Sequence, residues 1–122
     1  MKNLLVIEPD NVLRKIYTEV FSERGYNVTA VNSAQSAVMA ADLLRPDAVI
    51  LEIQLVEHSG IEFLYEFRSY IDWRDIPVCV NTQIPPQEFK GSWQLLTDEL
   101  LIKDYLYKPD TRLKDLIKSI ES

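Results

Sequence analysis

Five polar side chains stand at the ends of apolar runs: Glu8 and Asp10 after residues 4–7, Glu52 after 48–51, Thr82 after 76–80 and Lys108 after 105–107. Carboxylates gathered at one place hold either a divalent cation through their oxygens or an ammonium through an ion pair. A lysine beside a buried strand end needs acidic company, and Glu8, Asp10 and Glu52 supply it. Thr82 offers a hydroxyl, whose plain role is to fasten the loop that follows its run. His58 is the only histidine and is read as a surface-loop residue rather than a metal ligand, because a dedicated site needs more than one donor of its kind. Neither nucleophilic catalysis nor dinucleotide binding finds support. No serine or cysteine is paired with a histidine, and none of the three glycines falls in a phosphate-cradling pattern.

These residues converge only if the runs are strands of one sheet. Residues 47–54 read Asp-Ala-Val-Ile-Leu-Glu-Ile-Gln, whose continuous apolar middle is too short for a helix and predicts a strand buried on both faces. Further strands are expected over 4–7, 28–31, 77–81 and 105–107. Between them lie helical patterns. Val12, Leu13, Ile16, Tyr17, Val20 and Phe21 mark the inward face of the first, which Asp10 or Asn11 can cap and Gly25 ends. Ser33 caps a second helix whose stripe is Ala34, Ala37, Val38, Ala41 and Leu44. A third, after Gly60, turns Ile61, Leu64 and Phe67 inward, and Asp72 to Asp75 is read as a polar turn holding Trp73. Residues 83–91, with Pro85-Pro86, form a loop before a fourth helix over about 92–101 bearing Trp93, Leu96 and Leu100. A fifth helix, capped by Asp110 or Thr111, docks through Leu113, Leu116, Ile117 and Ile120.

Alternating strands and helices with right-handed crossovers make a doubly wound α/β fold, and the expected arrangement is a flavodoxin-like five-stranded parallel sheet, (βα)5, of order 2-1-3-4-5. That order puts Glu8, Asp10 and Glu52 at the topological switch point, with Thr82 and Lys108 at the same rim. At 122 residues, 47% of them apolar, residues 1–122 form one domain able to bury its own core. A formal net charge of -6 argues against direct nucleic-acid binding by the domain. The single cysteine, Cys79, lies in an apolar run and is expected to be a buried thiol. No membrane span or signal-peptide pattern is present, and a cytoplasmic location is expected.

The acidic group Glu8-Pro9-Asp10, Glu52, the stretch from Val56 to Gly60, Thr82 and Tyr105-Leu106-Tyr107-Lys108-Pro109, in this order and spacing, resemble the receiver domain of two-component response regulators, the CheY-like family. The resemblance covers essentially the full length, and the Lys-Pro after the last strand is its most specific part. It implies a phosphorelay signalling module rather than an enzyme. In that family an aspartate at the position of Glu52 accepts a phosphoryl group from a histidine kinase. Acidic residues after the first strand hold magnesium, the positions of Thr82 and Lys108 contact the phosphoryl oxygens, and an aromatic near Tyr105 swings inward on activation. The fourth helix, fifth strand and fifth helix form the face used for dimerisation and output.

The sequence departs from that pattern at two positions: Glu52 stands for the aspartate and Pro9 for an acidic metal ligand. One extra methylene moves the carboxylate about a bond length, and in-line transfer can lose ~100-fold for ~1 Å of misplacement. Proline offers magnesium no side-chain oxygen. The resulting expectation is a pseudo-receiver acting as a phosphorylation-independent protein-interaction module, with no cofactor required. The alternative is a working phosphotransfer receiver with atypical ligands and a weak magnesium site at Glu8, Asp10 and Glu52, as the N-terminal part of a longer regulator whose output domain follows Ser122. A third idea makes the acidic rim a sensor of divalent cations or small molecules. Glu52 is expected either to reach Lys108 in a permanent ion pair or to stand solvated at a strand end. Trp93, Tyr105 and Tyr107 are the expected interaction face, for a histidine kinase, an output domain, another regulator or a second copy of the chain.

Overall fold

The computed structural model describes all residues, Met1–Ser122. Strands β1 (Asn3–Ile7), β2 (Asn27–Val31), β3 (Ala48–Leu51), β4 (Val78–Thr82) and β5 (Ile102–Tyr107) form a parallel sheet in the order β2-β1-β3-β4-β5. That is the flavodoxin-like order the sequence predicts. Alternation along the central strands divides the core into two layers. Leu5, Ile7, Val49, Leu51 and Val78 face helices α2 (Ala34–Leu43) and α3 (Gly60–Ser69). Leu4, Val6, Ile50 and Cys79 face α1 (Asn11–Glu23) and α4 (Leu113–Glu121). The middles of the central strands β1, β3 and β4 are therefore apolar, because both faces are covered.

Local signals place the starts of α1 and α2 and the end of α1. Asp10 caps α1 by accepting from the Leu13 N–H, Ser33 and Ser59 cap α2 and α3, and Gly25 follows α1 at a φ of 92°. The inward face of α1 is narrower than its apolar pattern: Tyr17 and Phe21 are buried, whereas Val12 and Ile16 are exposed. In α3, Phe63 takes the inward place expected of Ile61, and Trp73 is buried against Phe67 rather than held in a polar turn.

The expected regular fourth helix over 92–101 is not formed. The chain instead makes 3-10 turns over Pro86–Ser92 and a π-helical turn over Leu95–Glu99, closed by the Leu100 N–H on the Leu95 carbonyl at 3.0 Å. So short a segment has little helical stability of its own, and burial of Leu96 and Leu100 decides its shape. Residues 83–91 are correspondingly turns in their second half rather than a plain loop. Strand β5 begins earlier than the apolar run 105–107, because its polar start is satisfied by α4. The Lys103 ammonium donates to the carbonyls of Ser119 and Ser122 at 2.6 and 2.8 Å, and Ser119 Oγ donates to Asp104 at 2.5 Å. Helix α4 starts later than expected. Neither Asp110 nor Thr111 caps it: residues Lys108–Asp110 make a 3-10 turn, and Arg112 and Asp115 close the helix start between them.

The buried charge that sequence reading missed is Arg68, 8% exposed at the end of α3. Its guanidinium donates to five carbonyls, those of Leu100, Trp73, Arg74, Ile76 and Leu101, at 2.8–3.2 Å. It ties α3 to the turn before β4 and to the end of the π-helical turn, where Leu101 has a left-handed φ of 54°. Planar geometry and a full set of donors suit arginine to this work.

Candidate functional site

At the carboxyl edge of the sheet, β1, β3, β4 and β5 deliver Glu8, Glu52, Thr82 and Lys108 to one buried cluster. Glu52 follows directly after β3 and is 2% exposed, so it is not a solvated strand-end residue. Its carboxylate accepts from four donors. Oε1 takes the Lys108 ammonium at 2.7 Å and the Gln83 N–H at 3.1 Å. Oε2 takes the Thr82 hydroxyl and, at 3.0 Å, the Gln54 N–H. A carboxylate has about four lone-pair sites, so every one of them is filled.

Lys108 also reaches Glu8 Oε1 at 2.6 Å, and Glu8 Oε2 accepts the Asp10 N–H at 3.1 Å. The expected ion pair between Glu52 and Lys108 is thus one arm of a triad in which a single ammonium joins two buried carboxylates. Burial pushes the Glu8 carboxyl above its ordinary range, against the hydrogen bonds from Lys108 and Asp10 that lower it. Burial works to lower the Lys108 ammonium, but hydrogen bonds to Glu52 and Glu8 outweigh it and hold its pKa above the usual value.

The glycine before α3 sets how close that element comes. A Cβ on Gly60 would lie 2.6 Å from Ile53 Cα and 3.0 Å from the Glu52 carbonyl, and the Gly60 N–H donates to the Ile53 carbonyl at 2.7 Å. Only the absence of a side chain lets α3 approach the backbone that carries Glu52. Gly60 is therefore a positioning residue that its place after a site-edge loop hinted at.

Two expected participants lie elsewhere. Asp10 is exposed, and its carboxylate is turned onto the first turn of α1. The weak magnesium site of Glu8, Asp10 and Glu52 is therefore not assembled: Lys108 stands between the first and third, and no group of three or more His, Cys, Asp or Glu is placed to hold a metal. The residues present do not fit the magnesium that the resemblance implies. His58 is exposed and pairs with Glu62 at 3.1 Å.

Tyr105 sits at the flank of the cluster. Its ring packs against Phe89 and Trp93, with centroids 6.0 and 5.5 Å away, and its hydroxyl donates to the Ile84 carbonyl at 2.7 Å. Burial, then the charges of Glu52 and Glu88, push its pKa up to about 12. Trp93 is 40% exposed, and Tyr107, two residues along the strand, is half-buried. Cys79 is buried and its thiol is pushed up to about 11, which leaves it inert.

The family model described as the response regulator receiver domain matches residues 4–121. Among curated relatives, the KDP operon transcriptional regulatory protein KdpE of Escherichia coli (strain K12) is 29% identical over 109 residues, covering 89% of this chain and 45% of KdpE. The probable transcriptional regulatory protein TcrX of Mycobacterium tuberculosis is 33% identical over 66 residues, covering 54% of this chain and 28% of TcrX. The chain thus spans less than half the length of either. Of solved structures, the chemotaxis response regulator CheY4 of Vibrio cholerae superposes with a TM-score of 0.85 at 20% identity, over 99% of this chain and 97% of that one. The response regulator TrrA of Thermotoga maritima, in complex with Mg(2+)-BeF, gives 0.81 at 21% identity, over 99% and 97%. Likeness at these identities is a likeness of fold.

Proposed function

The chain belongs to the response regulator receiver domain family, and from that premise we propose that it is a signalling module of a two-component system that works without phosphorylation. The observation that carries the reading is the saturated carboxylate of Glu52. The resemblance assigns Thr82 and Lys108 to the oxygens of a phosphoryl group on the residue at this position. Here both donate to Glu52 itself, together with the backbone N–H groups of Gln54 and Gln83. The longer side chain carries its carboxylate into the place a phosphoryl group would take, and its negative charge holds those donors permanently. No metal is needed in this reading, because the Lys108 ammonium already bonds both buried carboxylates.

In this reading the module rests in one signalling state. Tyr105 supports it: its hydroxyl is tied to Ile84, two residues beyond Thr82, so the aromatic and the loop after β4 hold one another. The partner, a kinase, an output domain or another regulator, docks on the surface of the π-helical turn, β5 and α4, with Trp93 and Tyr107 as anchors. A homodimer through the same face is the other arrangement available to it.

A titration with beryllofluoride, a phosphoryl mimic, in the presence of magnesium tests the reading through backbone amide NMR. The expected result is no saturable shift at Gln54, Gln83 or Lys108. Saturable, magnesium-dependent binding at those positions would restore a working phosphotransfer receiver.

A further inference from the structure

A cleft of about 460 Å³ opens between α1 and α4, on the side of the sheet away from α2 and α3. Its walls are apolar, from Leu13 and Ile16 on α1 and Leu113 and Leu116 on α4. Its floor is polar and buried. Asn81 is 2% exposed and Tyr17 7%, and the Asn81 amide donates to the Tyr17 hydroxyl at 3.0 Å. That is the one hydrogen bond either side chain makes, so the amide oxygen and the phenolic proton are unspent. No fully buried polar side-chain atom in the protein lacks a partner, so the unbonded Asn81 amide oxygen is not sealed off, and both residues line the cleft. Turning the amide over exchanges the two roles and still leaves one donor and one acceptor side by side.

We propose that this cleft is a binding site for a small, planar, neutral aromatic amide or lactam, whose ring lies between α1 and α4 and whose adjacent N–H and C=O meet Asn81 and Tyr17. The volume lies within the range of small-molecule sites, and the combination of apolar walls with a few convergent polar groups is what such sites present. A purely apolar ligand would leave the buried amide and phenol unpaired, which selects against it. Gln83 and Lys108 border the same cleft and also donate to Glu52, so an occupant would rest against two of the groups that hold that carboxylate. The link to Glu52 rests on the proposed function; the ligand site itself does not.

Amide NMR titration with benzamide, with N,N-dimethylbenzamide as the probe lacking an N–H donor, tests the assignment. Saturable shifts are expected at Tyr17, Asn81, Gln83 and Leu113, with the dimethyl compound binding about tenfold more weakly for the lost hydrogen bond. Ile16→Trp, at a half-exposed position on the wall, should abolish the shifts without disturbing the floor, and Tyr17→Phe should weaken binding to a similar degree as the dimethyl probe. Glu52→Gln should still bind, which separates this site from the reading of Glu52. Absence of saturable shifts, shifts centred elsewhere, equal affinity for the two probes, or undiminished binding by Ile16→Trp would each overturn the proposal.

Discussion

As a single side chain, Glu52 is a structural tie rather than a solvated end, because it is buried and accepts from four donors. Glu52→Gln keeps the shape, removes the charge and turns amide protons toward groups that also donate; the expected loss is about 1–3 kcal/mol in denaturant unfolding. A change within about 0.5 kcal/mol would mark it as an ordinary surface residue. Lys108→Met should cost more, about 3–5 kcal/mol, because two buried carboxylates then face each other without a cation. The pH dependence follows from the same residues. Lys108 has a folded pKa above its ordinary 10.5, so its stabilisation is complete below that value and is lost as pH rises through the folded one. Tyr105, raised from 10.0 to about 12, loses stabilisation in the same direction, because the fold disfavours its phenolate. Unfolding free energy should therefore fall as pH rises above 10, with a shallower fall in Tyr105→Phe; a flat profile in the parent protein would contradict both assignments. The sequence made Glu52, Thr82 and Lys108 legible because each ends an apolar run. It could not show where the Asp10 carboxylate turns, since the same residue type serves a metal and a helix cap equally well.

Two contacts between elements determine whether those side chains meet. Gly60 lets α3 sit against Ile53, and Gly60→Ala must push the β3–α3 connection aside. Its expected cost is about 1–3 kcal/mol, as for other overpacked sites, together with shifted amide resonances at Gln54 and Gln83. An unchanged stability and an unchanged spectrum would show that the connection yields freely. Arg68 fixes the other end of α3, and Arg68→Met should cost about 3–5 kcal/mol by leaving buried carbonyls without donors. Arg68→Lys should recover only part of this, since one ammonium cannot reach all of the carbonyls. Strands and the caps of α1 and α2 were readable from short-range pattern, whereas the cap of α4 and the π-helical turn were not. Trp93, Leu96 and Leu100 have the spacing of a regular helix, and the force that reshapes the segment comes from Arg68 and the core, distant in sequence. Lys103 and Asp104 hid the start of β5 for the same reason, being satisfied by α4 rather than by solvent.

As a whole molecule the chain is a receiver fold whose buried acidic pair carries its own cation, and no helix in it is long and apolar enough to cross a membrane. Alternation and handedness pointed to a doubly wound sheet, and the observed order is the flavodoxin-like one that sets the ends of β1 and β3 side by side. The resemblance then supplied the family, but not the state in which this member rests; that depends on atoms only the fold brings together. The account stands on Glu52 occupying the place of a phosphoryl group, so the most direct measurement is intact mass after incubation with magnesium and a small acyl-phosphate donor. The account predicts an unmodified chain, in the parent protein and in Glu52→Gln alike. A stoichiometric phosphoryl adduct that disappears in Glu52→Gln would contradict it and make Glu52 an acceptor.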